Sequence, residues 1–196
     1  MSEINIPNEI VESKNDIHQL REVLNSRDFD YLQGYVIDYL TALGKARSPH
    51  MTNFGKTQFS DTPELRMIHE KLLPVASDIF QTITLVPSWN VLDLYEGPAS
   101  RLNKEVYDSA CTYAVSILIY QRFPWEITLN GDSPFELVEN DGLFFYGNRA
   151  SRSRKDWITP DGNVLAEATF FFVEPDHWWF TEGENYLYDV IRAPKP

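Results

Sequence analysis

The hydrophobic period of the chain changes near Val86, and this change constrains the fold more than any other feature. Before Val86, apolar residues recur at helical spacing, and we predict three helices, over 13–26, over 30–46 and from Asp61 onward. Pro74 should break or restart the third helix, because proline lacks a backbone N–H. The polar stretch 45–60 is typical of a long surface loop.

After Val86, short runs rich in β-branched and aromatic residues alternate with tight-turn signals such as Asn130-Gly131-Asp132 and Asn140-Asp141-Gly142. The predicted strands are 89–95, 111–120, 125–129, 135–138, 143–146, 164–173 and 186–191. Short strands of this kind predict a sandwich or a jelly-roll barrel. Since no linker divides the chain, we predict one domain over 1–196, with a mostly helical N-terminal layer at 1–84 and a β core at 85–196.

The charge balance narrows the classes of partner. Lys and Arg number 17 against 29 Asp and Glu, a formal net charge of −12. Nucleic acid is therefore not an expected partner, because phosphate recognition relies on clustered basic residues. The single cysteine, Cys111, excludes an internal disulfide. With no signal-peptide pattern and no apolar run of membrane length, we expect a cytoplasmic protein without a membrane partner.

Several stretches, in order and in register, resemble one known family. They are Leu72-Leu73-Pro74, Trp89-Asn90-Val91-Leu92-Asp93-Leu94-Tyr95-Glu96-Gly97, Ala110-Cys111-Thr112-Tyr113-Ala114-Val115-Ser116-Ile117, Trp125-Glu126-Ile127, Glu139-Asn140-Asp141-Gly142-Leu143-Phe144-Phe145-Tyr146-Gly147 and Phe170-Phe171-Phe172-Val173-Glu174-Pro175-Asp176. The chain resembles the iron(II)/2-oxoglutarate dioxygenases, on their prolyl-hydroxylase-like side. The resemblance covers about half the chain. It implies a double-stranded β-helix, a cupin-like jelly-roll barrel with an α-helical layer on one sheet.

The resemblance also implies a metal site that this sequence does not carry. The family binds iron(II) through His-x-Asp and a distal His, which leaves three positions for 2-oxoglutarate and oxygen. In register, those ligand positions hold Glu105, Tyr107 and Arg152, and residues 101–156 contain no histidine. The basic residue that anchors 2-oxoglutarate is missing as well, since 164–173 holds no Lys or Arg. We therefore expect neither iron nor 2-oxoglutarate as a cofactor.

Each candidate site residue has a plainer alternative. Arg152 would fill the metal position with a fixed positive charge and pair with Glu105 or with a ligand oxyanion. Alternatively, it lies in a solvated turn within the basic run 149–155. Tyr107 would be a phenol donor or a weak acid or base, or it merely covers the barrel. Lys104 and Glu105 would form an acid/base pair if buried, but adjacent charges in a polar loop are more often solvated.

Further residues are candidates for binding a ligand. Tyr95, Trp125 and Tyr146 would line an apolar pocket, although aromatic residues in strands more often belong to the core. Arg154 and the basic run around it suggest an anionic small molecule or an acidic partner surface. The plainer alternative is local balancing of nearby acidic residues. Cys111 has no base near it in sequence and is expected to be an inert buried thiol.

Three functions stay open from the sequence. The first is metal-independent chemistry on a small molecule, with Glu105, Tyr107 and Arg152 as catalytic residues. The second is a non-catalytic pseudoenzyme that binds a ligand or an active homologue. The third is an active oxygenase with an unconventional ligand set drawn from His50, His69 or His177. A homodimer through the N-terminal helices is compatible with their apolar stripes, as is packing of those helices on the barrel.

Overall fold

The computed structural model describes residues 10–14, 16–43, 56–96, 102, 106–107, 111–132, 134–155 and 164–178. Within these ranges the elements are β1 (Ile10–Lys14), β2 (Ile17–Leu20), α1 (Ser26–Leu43), β3 (Lys56–Ser60), α2 (Pro63–Ile79), β4 (Val86–Glu96), β5 (Tyr113–Gln121), β6 (Thr128–Leu129), β7 (Gly142–Tyr146), β8 (Arg152–Ser153) and β9 (Val164–Val173). Over these ranges the protein is mainly β with helices in its N-terminal part, as its sequence predicts, although two long helices replace the three that were expected.

Two antiparallel sheets form the described part of the barrel. The large sheet has seven strands in the order β1-β2-β7-β5-β9-β4-β3, and the small sheet pairs β6 with β8. The longest pairing joins β4 to β9, from Val86↔Val173 to Glu96↔Val164. A single bridge between Ile127 and Phe135 extends the small layer. No helix among the described residues is long and apolar enough to cross a membrane.

The two faces of the large sheet have different neighbours. Because side chains alternate along a strand, Leu92 and Leu94 of β4 face the helices, where α1 and α2 supply Leu32, Ile68 and Leu72. Val91 and Tyr95 face the other way, into a second buried cluster with Leu129 and Phe135 of the small layer. The second face is the barrel interior, and it carries the candidate site.

Helix α2 begins close to where its sequence predicts, whereas α1 begins at Ser26 and not at the expected Asp30. The side chain of Asn25 accepts a hydrogen bond from the backbone N–H of Asp28 at 3.0 Å, which caps α1. The Thr62 hydroxyl accepts one from the Leu65 N–H at 3.3 Å, and Pro63 occupies the first turn of α2. The expected break at Pro74 is wrong, since α2 runs on to Ile79. Proline is tolerated there because the turns around it bury apolar side chains against the sheet.

The predicted helix over 13–26 is also wrong. The segment forms the hairpin of β1 and β2, with Asp16 in the left-handed region at φ 64°. Ile17 and Leu20 fit helical spacing, yet in the strand they enter opposite clusters on the two faces of the sheet. Pairing of β2 with β7 therefore overrides the local pattern. The described part of 1–84 thus adds three strands, β1, β2 and β3, to its two helices.

Other predicted elements are shorter or lie elsewhere. The strand predicted over 135–138 is reduced to the bridge at Phe135, and that over 125–129 to β6. The predicted loop over 45–60 ends in β3, which pairs with β4. The rest of that loop and the predicted strand over 186–191 lie outside the described residues.

Candidate functional site

Two carboxylates lie side by side on the inner face of the large sheet. Asp93 of β4 and Glu167 of β9 are register partners, and they are only 2% and 1% exposed. Beside them, Ser116 of β5 pairs with Thr169 of β9, and their hydroxyl oxygens are 2.9 Å apart. The Ser116 hydroxyl also donates a short hydrogen bond to Oε1 of Glu167. Buried carboxylates need partners of opposite charge, because burial removes them from water.

The small sheet supplies those partners. Arg152 lies on β8 and is 1% exposed, and Arg154 follows two residues later at 6%. Strand alternation sends both side chains to the same side, while Arg149 and Lys155 are exposed. The solvated-turn alternative is therefore wrong for Arg152 and Arg154, and it holds for Arg149 and Lys155.

Alternating charges connect the two sheets across the interior. Nζ of Lys56 is 3.1 Å from Oδ2 of Asp93, and Nη2 of Arg152 is 3.5 Å from the same oxygen. Nη1 of Arg152 is 3.8 Å from Oε1 of Glu167. Nη2 of Arg154 donates to Oε2 of Glu167 at 2.9 Å. We call Lys56, Asp93, Arg152, Glu167 and Arg154 the charge ladder.

The charged forms of the ladder stabilise one another. Burial would raise the pKa of Glu167, but Arg154, Arg152 and the Ser116 hydrogen bond outweigh it and hold that pKa at about 2. Burial would likewise lower the pKa of Arg152. Nearby phenols and the two carboxylates outweigh that effect, and the pKa is raised well above its usual value. Glu167 is therefore an anion and Arg152 a cation at neutral pH, so neither serves as a proton donor or acceptor there.

Aromatic rings cover the two guanidinium groups. The centre of the Arg152 guanidinium lies 4.4 Å from the centroid of the Tyr107 ring, which packs edge-on against Phe171 at 4.5 Å. The Arg154 guanidinium lies 5.2 Å from the Trp125 ring, and Trp125 packs edge-on against Tyr95 at 5.4 Å. Ring faces attract guanidinium groups and shield them from water.

The structure brings most of the predicted site residues together. Arg152 and Arg154 belong to the charge ladder, and the rings of Tyr107, Trp125 and Tyr95 pack around these two arginines. Their roles in catalysis or ligand binding stay predictions. Another predicted residue, Glu105, lies outside the described residues, and so does Lys104. Tyr146 lies on the helix side of the sheet, where its ring packs against Phe80 and Tyr113, so it does not join the others.

Sequence reasoning missed the partners of the arginines. Asp93, Glu167, Lys56 and Ser116 were not predicted as site residues. The signal was present for the two acids, because each is the one charged residue of a run of five, Val-Leu-Asp-Leu-Tyr at 91–95 and Leu-Ala-Glu-Ala-Thr at 165–169. A lone charge at an inward strand position implies a buried partner.

The histidines of the described ranges form no group with the site carboxylates that could hold a metal ion. His69 of α2 lies on the helix side of the large sheet, where its Nε2 is 2.8 Å from the carbonyl oxygen of Phe171. His18 lies on β2 opposite Phe144, and His177 follows β9. His50 lies outside the described residues.

An iron(II) site does not fit the donor set that the structure describes. Within the described ranges, no three His, Cys, Asp or Glu side chains are grouped so that they could hold a metal ion. The resemblance implies that Arg152 stands where the family has its distal histidine, and a guanidinium offers no lone pair to a metal. Asp93 and Glu167, the two carboxylates beside Arg152 in the described part of the chain, are already engaged by basic side chains.

Comparison with known proteins identifies the fold. No family model and no curated protein matches the sequence. Among solved structures, AviO1 from Streptomyces viridochromogenes matches with a TM-score of 0.62 at 13% identity, over 82% of this chain and 90% of that one. A prolyl-4-hydroxylase from Pseudomonas putida matches with a TM-score of 0.58 at 14% identity, over 81% and 92%.

A third solved structure is SnoN, the α-ketoglutarate-dependent epimerase of nogalamycin biosynthesis. Its TM-score is 0.56 at 11% identity, over 80% of this chain and 77% of that one. At such low identities the likeness shows the fold, and it confirms the expectation drawn from the sequence. The chain has the double-stranded β-helix fold of the iron(II)/2-oxoglutarate-dependent dioxygenase superfamily.

Proposed function

We propose that this protein binds a small molecule in its barrel without iron or 2-oxoglutarate. In this proposal, Arg152 supplies the fixed positive charge that a metal ion supplies elsewhere in the fold. The observation that carries the proposal is the place of Arg152, which is 1% exposed between Asp93 and Glu167 and beneath the ring of Tyr107. The sequence register assigns this same residue to the position of the distal metal ligand.

The chemistry that suits such a site is the stabilisation of negative charge on a bound molecule. A guanidinium that stays protonated cannot exchange protons, but it stabilises an oxyanion or an enolate in a site that excludes water. The carboxylates of the charge ladder keep the guanidinium fixed in place. Tyr107, beside it, is the candidate proton donor, and Glu105 is the candidate base. An anionic small molecule is the expected class of ligand.

A second candidate function is non-catalytic. Both oxygens of Glu167 are engaged by protein groups, Oε1 by Ser116 and Oε2 by Arg154. A central carboxylate that the protein itself satisfies in this way also suits a pseudoenzyme, whose partner would be a ligand, an active homologue or a second copy of the chain. This candidate predicts a stable folded protein that turns over no small molecule.

Anaerobic titration calorimetry separates these functions. Iron(II) with and without 2-oxoglutarate should give no one-to-one binding to the folded protein. A panel of small carboxylates and carbonyl compounds should yield a binder, and Arg152→Gln should abolish that binding. Arg149→Gln is the matched control, because Arg149 belongs to the same basic run but is exposed. Arg152→Lys keeps the positive charge, and it is the control for a loss of binding that is caused by unfolding alone.

Each result has a defined meaning. Specific iron binding refutes the metal-independent proposal. Small-molecule binding that Arg152→Gln and Arg149→Gln weaken equally removes Arg152 from the site. A folded protein that binds no member of the panel favours the pseudoenzyme.

A further inference from the structure

The hydroxyl of Tyr95 is a buried polar group that the charge ladder does not use. Tyr95 is 0% exposed on the inner face of β4. Its oxygen has no hydrogen-bond partner among the residues that the structure describes. A buried hydroxyl in this state loses its hydrogen bonds to water and gains none from the protein. Such a group at a candidate site points to a ligand atom as the missing partner.

Arg154 presents a second unused donor. Its Nη2 donates to Glu167, and its Nη1 donates a short hydrogen bond to the carbonyl oxygen of Trp125. Its Nε is buried and has no hydrogen-bond partner within the described ranges. The guanidinium is therefore held firmly on one side while one N–H remains available.

The indole ring of Trp125 links these two donors. It packs edge-on against the Tyr95 ring, with the ring centroids 5.4 Å apart, and it lies 5.2 Å from the Arg154 guanidinium. Trp125 also packs against a buried apolar cluster that contains Val91, Leu118 and Leu165. Two hydrogen-bond donors beside a flat aromatic ring in an apolar wall suit a ligand with one oxygen acceptor and an apolar skeleton.

We propose that the Tyr95 hydroxyl and Nε of Arg154 form a subsite for the carbonyl oxygen of a ketone, ester or amide whose apolar skeleton packs on Trp125. This inference rests on the proposed function, and it names the class of the small molecule. A neutral acceptor fits better than an anion at this point, because Glu167 already balances the charge of Arg154 at 2.9 Å.

The protonation state of Tyr95 agrees with a donor role. Burial and the neighbouring Asp93 raise the pKa of Tyr95 well above its usual value. The phenol therefore keeps its proton throughout the physiological range. Negative charge that develops on the carbonyl oxygen would meet both this O–H and the positive charge of Arg154, as oxyanion stabilisation requires.

The test compares Tyr95→Phe with Tyr39→Phe. Each variant removes one buried hydroxyl that has no hydrogen-bond partner in the described chain, but Tyr39 packs on the helix side, away from the barrel interior. Ligand-observed NMR titrations would use acetophenone, methyl benzoate and benzamide as carbonyl probes, with ethylbenzene and benzoate for comparison. We expect at least one carbonyl probe to bind the wild type and Tyr39→Phe equally, and Tyr95→Phe about tenfold more weakly.

A second measurement reports on the hydrogen bonds themselves. The carbonyl stretch of the bound, ¹³C-labelled probe should shift to lower frequency in the wild type, and the shift should shrink in Tyr95→Phe but not in Tyr39→Phe. Thermal melts of both variants should match the wild type, so weaker binding cannot be assigned to unfolding.

Failure of this inference differs from failure of the proposed function. If carbonyl probes bind with equal affinity to all three proteins, or if benzoate binds more tightly than every carbonyl probe, the subsite is refuted and the metal-independent function stands. If neither these probes nor the panel of small carboxylates and carbonyl compounds binds the wild type, or if iron(II) binds one-to-one, the proposed function fails and the subsite fails with it.

Discussion

Replacement of Glu167 by glutamine tests whether the charge ladder contributes to stability. Glu167→Gln keeps the shape of the side chain but leaves Arg152 and Arg154 without the carboxylate that they share. Removal of one member of a buried ion pair typically costs about 3–5 kcal/mol. An independent figure comes from the pKa of Glu167, about 2 against an ordinary value of 4.5. At about 1.4 kcal/mol for each pH unit, this difference is on the order of 3 kcal/mol.

Urea denaturation at pH 7, followed by tryptophan fluorescence, gives the free energy of unfolding directly. The matched control is Glu126→Gln, because Glu126 is partly exposed and its partner Lys155 is 3.9 Å away and mostly exposed. That control should cost less than about 1 kcal/mol. If Glu167→Gln also costs less than about 1 kcal/mol, the buried pairs contribute little and the reasoning fails.

The pH dependence of stability is a second test of the contribution of Glu167. The pKa of Glu167 is lower in the folded chain, so its stabilising effect is fully present above pH 4.5 and is lost as the pH falls from 4.5 towards 2. The gap between the wild type and Glu167→Gln should therefore narrow over that interval. Arg154→Met should be less destabilising in the Glu167→Gln background than alone, because the two residues interact directly.

The remaining predictions concern other parts of the fold. Burial lowers the pKa of His69 from 6.5 to about 4, so the stability of the protein should be full above pH 6.5 and fall as the pH drops towards 4. Urea midpoints measured across this range should show the fall, and His69→Gln should flatten the dependence of the midpoint on pH. Gly147→Ala should cost more than about 2 kcal/mol, because the new Cβ would clash with the carbonyl oxygen of Cys111. Gly34→Ala on α1, with no described atom within 4 Å of the new Cβ, should instead stabilise the protein by about 0.5–1 kcal/mol. Thermal melts of both glycine variants and the wild type measure these effects. Thr62→Ala should cost about 1 kcal/mol through loss of the α2 cap, whereas Thr62→Ser should cost little.

Each of these predictions has a result that would contradict it. A wild-type profile that stays flat between pH 6.5 and 4 would exclude the buried, neutral histidine. Equal melting temperatures for the two glycine variants would contradict the close approach at Gly147. An effect of Thr62→Ser as large as that of Thr62→Ala would show that the hydroxyl is not the cap.

The sequence predicts the β core well because its strands are defined by local signals. At Asn130 and Gly131, both with positive φ, and at Asn140, with φ 70°, the predicted turns coincide with left-handed backbone in the structure. The hairpin of β1 and β2 could not be predicted in this way, because its pairing with β7 joins residues more than a hundred positions apart. Local periodicity cannot report such a partner.

The basic and aromatic residues of the candidate site could be predicted from the sequence, but their acidic partners could not. The resemblance pointed to Arg152 and Tyr107, because in the register that it implies they stand where the family has metal ligands. Its acidic partners were missed, because Asp93 and Glu167 become neighbours only when β4 pairs with β9. Tyr146 was misplaced for a simpler reason. One position along a strand decides which face of the sheet a side chain enters, and Tyr146 lies one residue beyond Phe145, which faces the barrel interior.

The short backbone pairing between β6 and β8 has a consequence for how the barrel opens. Two residue pairs, Thr128↔Ser153 and Leu129↔Arg152, join these strands, so backbone bonding alone would let this wall fray rapidly. However, every local opening would also draw Arg152 and Arg154 away from Asp93 and Glu167. The amide hydrogens of β6 and β8 should therefore exchange with solvent as slowly as those of the central strands, because the wall separates only when the whole domain unfolds.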